Sequence, residues 1–179
     1  MYSLYLCIRI LLIMSEFLIY VKIPVYEREW CEHHFGRPCK FPAQSNINAV
    51  IRHFLRHRPF GVSEASSFQD DHMPIVIPDS RAKRARDFNY LSEPGRKAIA
   101  ESINDLFSLH MFEQLTTPAA RNIGLSCLIH DWMEENGISE EQYNNLRQKF
   151  LRIKDSYRQE SGVNISRGYK HERYDLSSR

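Results

Sequence analysis

Apolar residues along this chain recur in two rhythms, and the rhythm changes several times. Phe17 to Pro24 is a β-branched and aromatic run that stops at a proline. Met73 to Pro78 repeats the pattern, again closing on Ile-Pro, and both read as short strands. Two such strands are not stable alone, so they are expected to pair and to lie against helices. Helical spacing takes over elsewhere. Tyr26 to Phe35 ends at Gly36, a natural C-cap, and Ser45 to Arg58 places Ile47, Val50, Ile51, Phe54 and Leu55 on one face before Pro59. Between the second of these and the second strand, Gly61 to His72 is polar and Ser-rich and reads as a mobile loop.

The rest of the chain is predicted to be helical. Ser92 suits an N-cap with Glu93 and Pro94 in the first turn, and Ala98, Ile99, Ile103, Leu106 and Phe107 form a stripe. A second helix is predicted from Thr117-Pro118, with Leu125, Leu128, Ile129, Trp132 and Met133 as its apolar face. It should end at Asn136-Gly137, where glycine supplies a left-handed C-cap. Ser139 and Gln142 then have the spacing of a capping box, and Ile138 and Tyr143 that of a hydrophobic staple. The last stripe is Tyr143, Leu146, Phe150, Ile153 and Tyr157. Together these elements predict an α+β fold, predominantly helical, with two short strands and a bundle ending in a helix-turn-helix-like hairpin.

Length and composition are compatible with this picture. The 179 residues are 42% hydrophobic and 26% charged, which suits one globular domain and excludes wholesale disorder. The boundaries predicted are a single domain over 14–160, an upstream extension or disordered tail over 1–13, and a flexible basic tail over 161–179. Met1 to Ile13 is apolar but is broken by Arg9 and followed by Met14-Ser15-Glu16 without a small-x-small cleavage site. Arg9, Glu16 and Lys22 also break any window of roughly 20 apolar residues, the length a spanning helix needs. No membrane partner is expected, translation is read as starting at Met14, and the protein as cytoplasmic. The four cysteines are irregularly spaced in a chain that is not small, and are read as reduced.

A net charge of +2 decides nothing about partners, but its distribution does. Over Arg81–Lys97, six cations, including Arg81, Lys83, Arg84 and Arg86, face two anions. Over Ser139–Arg179, nine cations, including Arg147, Lys149, Arg152, Lys154 and Arg158, face six anions. Such clusters can neutralise phosphates and release counterions. A short turn followed by a helix exposing Asn144, Asn145, Arg147, Gln148 and Arg152 suits a recognition helix whose side chains reach base edges. The same basic faces would also serve as merely solvated surface, and the helices could instead dock on a protein or on a second copy of the chain through Tyr143, Phe150 and Tyr157.

Two other constellations carry potential chemistry. Cys31, His34 and Cys39, with His53 and His57 one helical turn apart, are zinc-ligand types, but their spacing matches no standard finger, ribbon or knuckle. Asp70-Asp71-His72 could hold a divalent cation, and Pro78-Asp79 resembles the start of a restriction-type nuclease motif, without the acidic-x-Lys element such a motif needs. Phosphate-binding glycine loops, nucleophile elbows and His-Glu-x-x-His are missing, and with seven glycines a dinucleotide-binding fold is not expected. No cofactor and no enzymatic activity are predicted.

The succession Tyr20-Val-Lys-Ile-Pro24, Ile75-Val-Ile-Pro78, Phe88-Asn-Tyr-Leu91 and Trp132-Met-Glu-Glu-Asn-Gly137 resembles a group of small proteins from phages and integrated mobile elements. The resemblance runs from Met14 to Arg158. It implies a DNA-linked role such as regulation, replication or packaging, carries no particular activity, and supports Met14 as the start. Its pattern does not depend on cysteines, which lowers the expectation of zinc.

Overall fold

The structure, a computed structural model, describes residues 17–61, 71–117 and 123–162. The expected upstream extension, most of the Gly61–His72 loop and the basic tail lie outside those residues. The fold is α+β and predominantly helical, with a two-stranded antiparallel sheet, as the pattern predicts. The chain divides into two compact units between Phe107 and Ser108.

In the first unit, β1 (Leu18–Lys22) pairs with β2 (His72–Val76), setting Ile19 opposite Ile75 and Val21 opposite Met73. All four are buried, so the period-two alternation fixes the register by putting one face in the core. Pro74 sits within β2 although proline cannot donate to a ladder. The N–H of Val76, two residues on and therefore pointing the same way, donates to the Cys39 carbonyl at 2.9 Å, while that of Ile77 donates to Phe17. The missing N–H of Pro74 thus falls on the edge away from β1, where it costs β1 nothing.

Helices cover this hairpin. Helix α1 (Val25–Phe35) buries Trp30 and Cys31 and closes on Gly36 at φ 79°, whose N–H bonds the Glu32 carbonyl. Helix α2 (Asn46–Phe54) is capped by Ser45, whose Oγ accepts from the Asn48 N–H at 3.2 Å. It stops four residues earlier than its periodicity predicts. Leu55 turns extended, and Arg56 exchanges two backbone hydrogen bonds with Tyr90, of 3.0 and 3.2 Å. That distant pairing satisfies the backbone as a further helical turn would have done. Helix α3 (Glu93–Leu115) contributes Ile99, Ile103 and Phe107 to this core. Its Gly95 is required by packing, since a Cβ there would meet Phe54 Cβ at 2.9 Å and Leu91 Cδ1 at 2.8 Å. The Arg96 guanidinium, further along α3, donates to the Tyr20 carbonyl and ties the helix to β1.

The second unit holds the last turns of α3, helix α4 (Leu125–Glu135) and helix α5 (Tyr143–Ser161). The helix predicted from Thr117 begins instead at Leu125, after an extended Gly124. Thr116 and Thr117 end α3 rather than opening α4: their hydroxyls donate back to the Phe112 and Gln114 carbonyls at 2.7 and 3.4 Å. Residues 118–122 lie outside those described. The turn after α4 is a Schellman motif. Gly137 sits at φ 66°, its N–H bonds Glu134, and the N–H of Ile138 bonds Met133 at 2.9 Å, with Ile138 and Met133 both buried. The predicted capping box does not form. Glu140–Gln142 is a single 3₁₀ turn, Ser139 makes no side-chain cap bond, and Gln142 Oε1 accepts from Asn145 rather than reaching back. Tyr143 lies along α4 instead of stapling Ile138. Its ring stacks on His130 with centroids 4.4 Å apart, and its hydroxyl donates to Ser126 Oγ at 3.0 Å.

Candidate nucleic-acid interface

The basic run after β2 is shaped by two short side chains. Asp79 Oδ1 accepts from the Ala85 N–H at 3.0 Å, and Ser80 Oγ accepts from the Lys83 N–H at 3.0 Å. Asp and Ser hold backbone N–H groups in this way because their oxygens reach their own chain a few residues on. Ala85, buried, anchors the loop, and Arg81, Arg84 and Arg86 are turned out to solvent. Among the described residues no acceptor lies within hydrogen-bond or ion-pair distance of these three guanidinium groups.

Lys83 has the opposite fate. Its half-buried ammonium donates to the carbonyls of Arg52 and Leu55 at the end of α2, so it closes a helix that carries no C-terminal side-chain cap of its own. Sequence alone groups it with its neighbours, but its charge is committed to the fold.

The loop forms one wall of a cleft of about 670 Å³. Arg81, Arg84 and Arg86 are joined there by Lys40, which follows Cys39 at the sheet edge, and by Arg52 of α2. Among the described residues of the lining the single carboxylate is Asp79, one of whose oxygens is already held by Ala85. Phe17, the residue before β1, stands exposed at the same cleft. Guanidinium forks match phosphate geometry, and a recess of this size suits a ligand of one or two nucleotide units. Lys40, Arg52 and Phe17 were not singled out from sequence. They lie in separate segments of the chain, and only the pairing of Cys39 with β2 and the phase of α2 bring Lys40 and Arg52 to the basic loop.

The other basic surface is weaker. On α5, Arg147, Arg152 and Arg158 are exposed, while Lys149 and Lys154 are half-buried. Arg158 lies 3.7 Å from Asp155, and Arg152 donates to Gln148 at 3.4 Å. In the described part of the second unit, five lysines and arginines face eight aspartates and glutamates, whereas in the first unit thirteen face nine. The aromatic residues of α5 are also largely committed to packing. Phe150 is buried, Tyr143 stacks on His130, and Tyr157 lies against Phe112 with centroids 4.9 Å apart.

The zinc-type residues are not assembled. Cys31 and Cys39 are fully buried free thiols, with Cys39 Sγ 3.5 Å from Met73 Sδ. Burial raises the Cys31 thiol far above its ordinary value and pushes Cys39 up to about 12. His34 lies on the Trp30 ring, His53 packs on Phe54, and His57 falls beyond the end of α2 against Phe88, centroids 3.9 Å apart. The two histidines expected one helical turn apart are thus not on one helix. Among the described residues no three metal-ligating side chains are close enough to hold an ion. Under native conditions at pH 8, iodoacetamide should alkylate exposed Cys127 and spare Cys31 and Cys39, with or without zinc, as read by peptide mapping. Labelling of Cys31 at the rate of Cys127 would contradict this burial.

The acidic group before β2 is likewise structural where it is described. Asp71 pairs with Lys22 Nζ at 2.8 Å and with His72 Nδ1 at 2.7 Å. Hydrogen bonds from these two partners lower its carboxyl to about 2. Asp70 lies outside the described residues. No helix among the described residues is long and apolar enough to cross a membrane. Comparison with protein-family models, curated proteins and solved structures returns no match, and the site's own geometry carries the functional reading.

Proposed function

We propose that this chain is a small nucleic-acid-binding accessory protein and that its phosphate-binding surface is the basic cleft of the first unit. The observation that carries this reading is the set of three guanidinium groups, Arg81, Arg84 and Arg86, held out by a side-chain-braced loop beside Lys40 and Arg52. Five cations around one recess neutralise phosphates at the expense of bound counterions, so affinity comes largely from ion release. The resemblance to proteins of phages and mobile elements supports a place in the DNA transactions of such an element, as a regulatory or accessory factor.

The test is fluorescence anisotropy with labelled oligonucleotides, single- and double-stranded, on the full chain. Binding should weaken on the order of a hundred-fold between 50 and 200 mM salt, the slope expected for about four phosphate contacts. The R81A/R84A/R86A variant should lose most of the affinity and most of the salt slope. The R147A/R152A/K154A variant should change little. Lys83→Met should bind nearly as the parent but lose about 1–3 kcal/mol of stability, because the Arg52 carbonyl loses its side-chain donor and the Leu55 carbonyl keeps only Arg56. Absence of binding to either strand form at tens of micromolar protein in low salt would end the proposal. So would a loop-arginine variant that binds as the parent does.

A further inference from the structure

We infer that the cleft receives a single strand of nucleic acid, with one base stacked on Phe17; this rests on the preceding reading of the cleft as a nucleic-acid site. A duplex presents its phosphates on a convex surface, and proteins meet it by projecting an element into a groove. Here the cations line a recess instead. Its walls are the start of β1 and end of β2, α2 with Arg52, and the loop carrying Arg81 and Arg84. A flexible single strand bends into such a space.

Phe17 adds an aromatic face at the same recess. It is 38% exposed, and its position is fixed because its carbonyl accepts from the Ile77 N–H at 2.9 Å. In a duplex the base faces are already stacked on one another, so only an unpaired base can use that ring. A cationic groove with a stacking aromatic is the general solution for binding single strands. The polar side chains that could read base edges are largely occupied. Asn48 donates to the Phe41 and Pro42 carbonyls at 2.9 and 2.8 Å, and Asp79 holds Ala85. Recognition by charge and stacking follows, tolerant of sequence and shared by DNA and RNA.

The experiment is competition against a labelled mixed-sequence 15-mer of single-stranded DNA, using unlabelled single-stranded DNA, the equivalent RNA and the duplex. Single strands of either sugar should displace the label at concentrations at least tenfold below the duplex. Phe17→Ala should weaken single-strand binding about fivefold or more, the effect of losing one stacked base. Phe17→Trp should retain it, which separates stacking from a folding defect. A duplex that competes as well as the single strand, or F17A binding single strands as the parent does, overturns the inference while leaving the nucleic-acid reading intact. Failure of every oligonucleotide to bind instead removes the reading beneath it.

Discussion

Phe107→Ala is expected to destabilise the protein by about 3–5 kcal/mol, the range for truncating a fully buried aromatic residue in a core that cannot collapse around the space. Phe107 has no exposed surface. Its ring meets Trp30 edge-on at 5.5 Å and Tyr26 at 5.4 Å, so two aromatic contacts between α3 and α1 disappear together. A loss of this size is a large share of the roughly 5–15 kcal/mol that holds a typical domain together. Urea unfolding followed by circular dichroism should show a lower midpoint with an unchanged slope. Two controls locate the effect. Phe107→Leu, which keeps most of the volume, should cost under about 1.5 kcal/mol or slightly more if the leucine cannot fill the ring's outline. Leu106→Ala, one position along and 36% exposed, should stay within about 1 kcal/mol. A Phe107→Ala variant as stable as Leu106→Ala would mean that α3 does not pack on α1 through this ring.

Phe107 was legible in the sequence because Ile99, Ile103 and Phe107 recur at helical spacing, and burial follows spacing with no knowledge of the partner. The two strands and the Gly137 turn were legible for similar local reasons. Alternation decides which strand face is buried, and glycine alone enters φ 66° without strain. What sequence did not disclose depends on residues far apart in the chain. Nothing near Leu55 announces that Arg56 will pair with Tyr90, so α2 was predicted too long. Lys83 is indistinguishable from Arg84 by composition, and only the fold places it against carbonyls 28 and 31 positions away. The cleft is the same case on a larger scale, since three separate segments bring Lys40, Arg52 and the loop arginines together. The charge run on α5 was visible, but the acidic residues that offset it are spread over α3, α4 and the 3₁₀ turn.

Trp132→Ala should cost about 3–5 kcal/mol and Trp132→Phe markedly less, and the difference separates packing from hydrogen bonding in the second unit. Trp132 is 2% exposed in the last turns of α4, beside buried Ile129 and Met133. Its carbonyl accepts from the Asn136 side chain at 2.8 Å, just before the Schellman turn that starts the reversal into α5. Its indole N–H donates to Gln114 Oε1 of α3 at 2.6 Å. Phenylalanine keeps most of the buried ring area but cannot donate. Gln114 belongs to an exposed position, so its freed oxygen can bond water, and the loss should sit near 1 kcal/mol at the low end for a broken hydrogen bond. Alanine removes the ring itself and opens a cavity beside Met133, the residue whose carbonyl anchors Ile138. Thermal unfolding followed at 222 nm should therefore rank the parent, W132F and W132A in that order with unequal steps. Equal losses for the two variants would show that the α3–α4 contact depends on the indole hydrogen bond rather than on apolar burial.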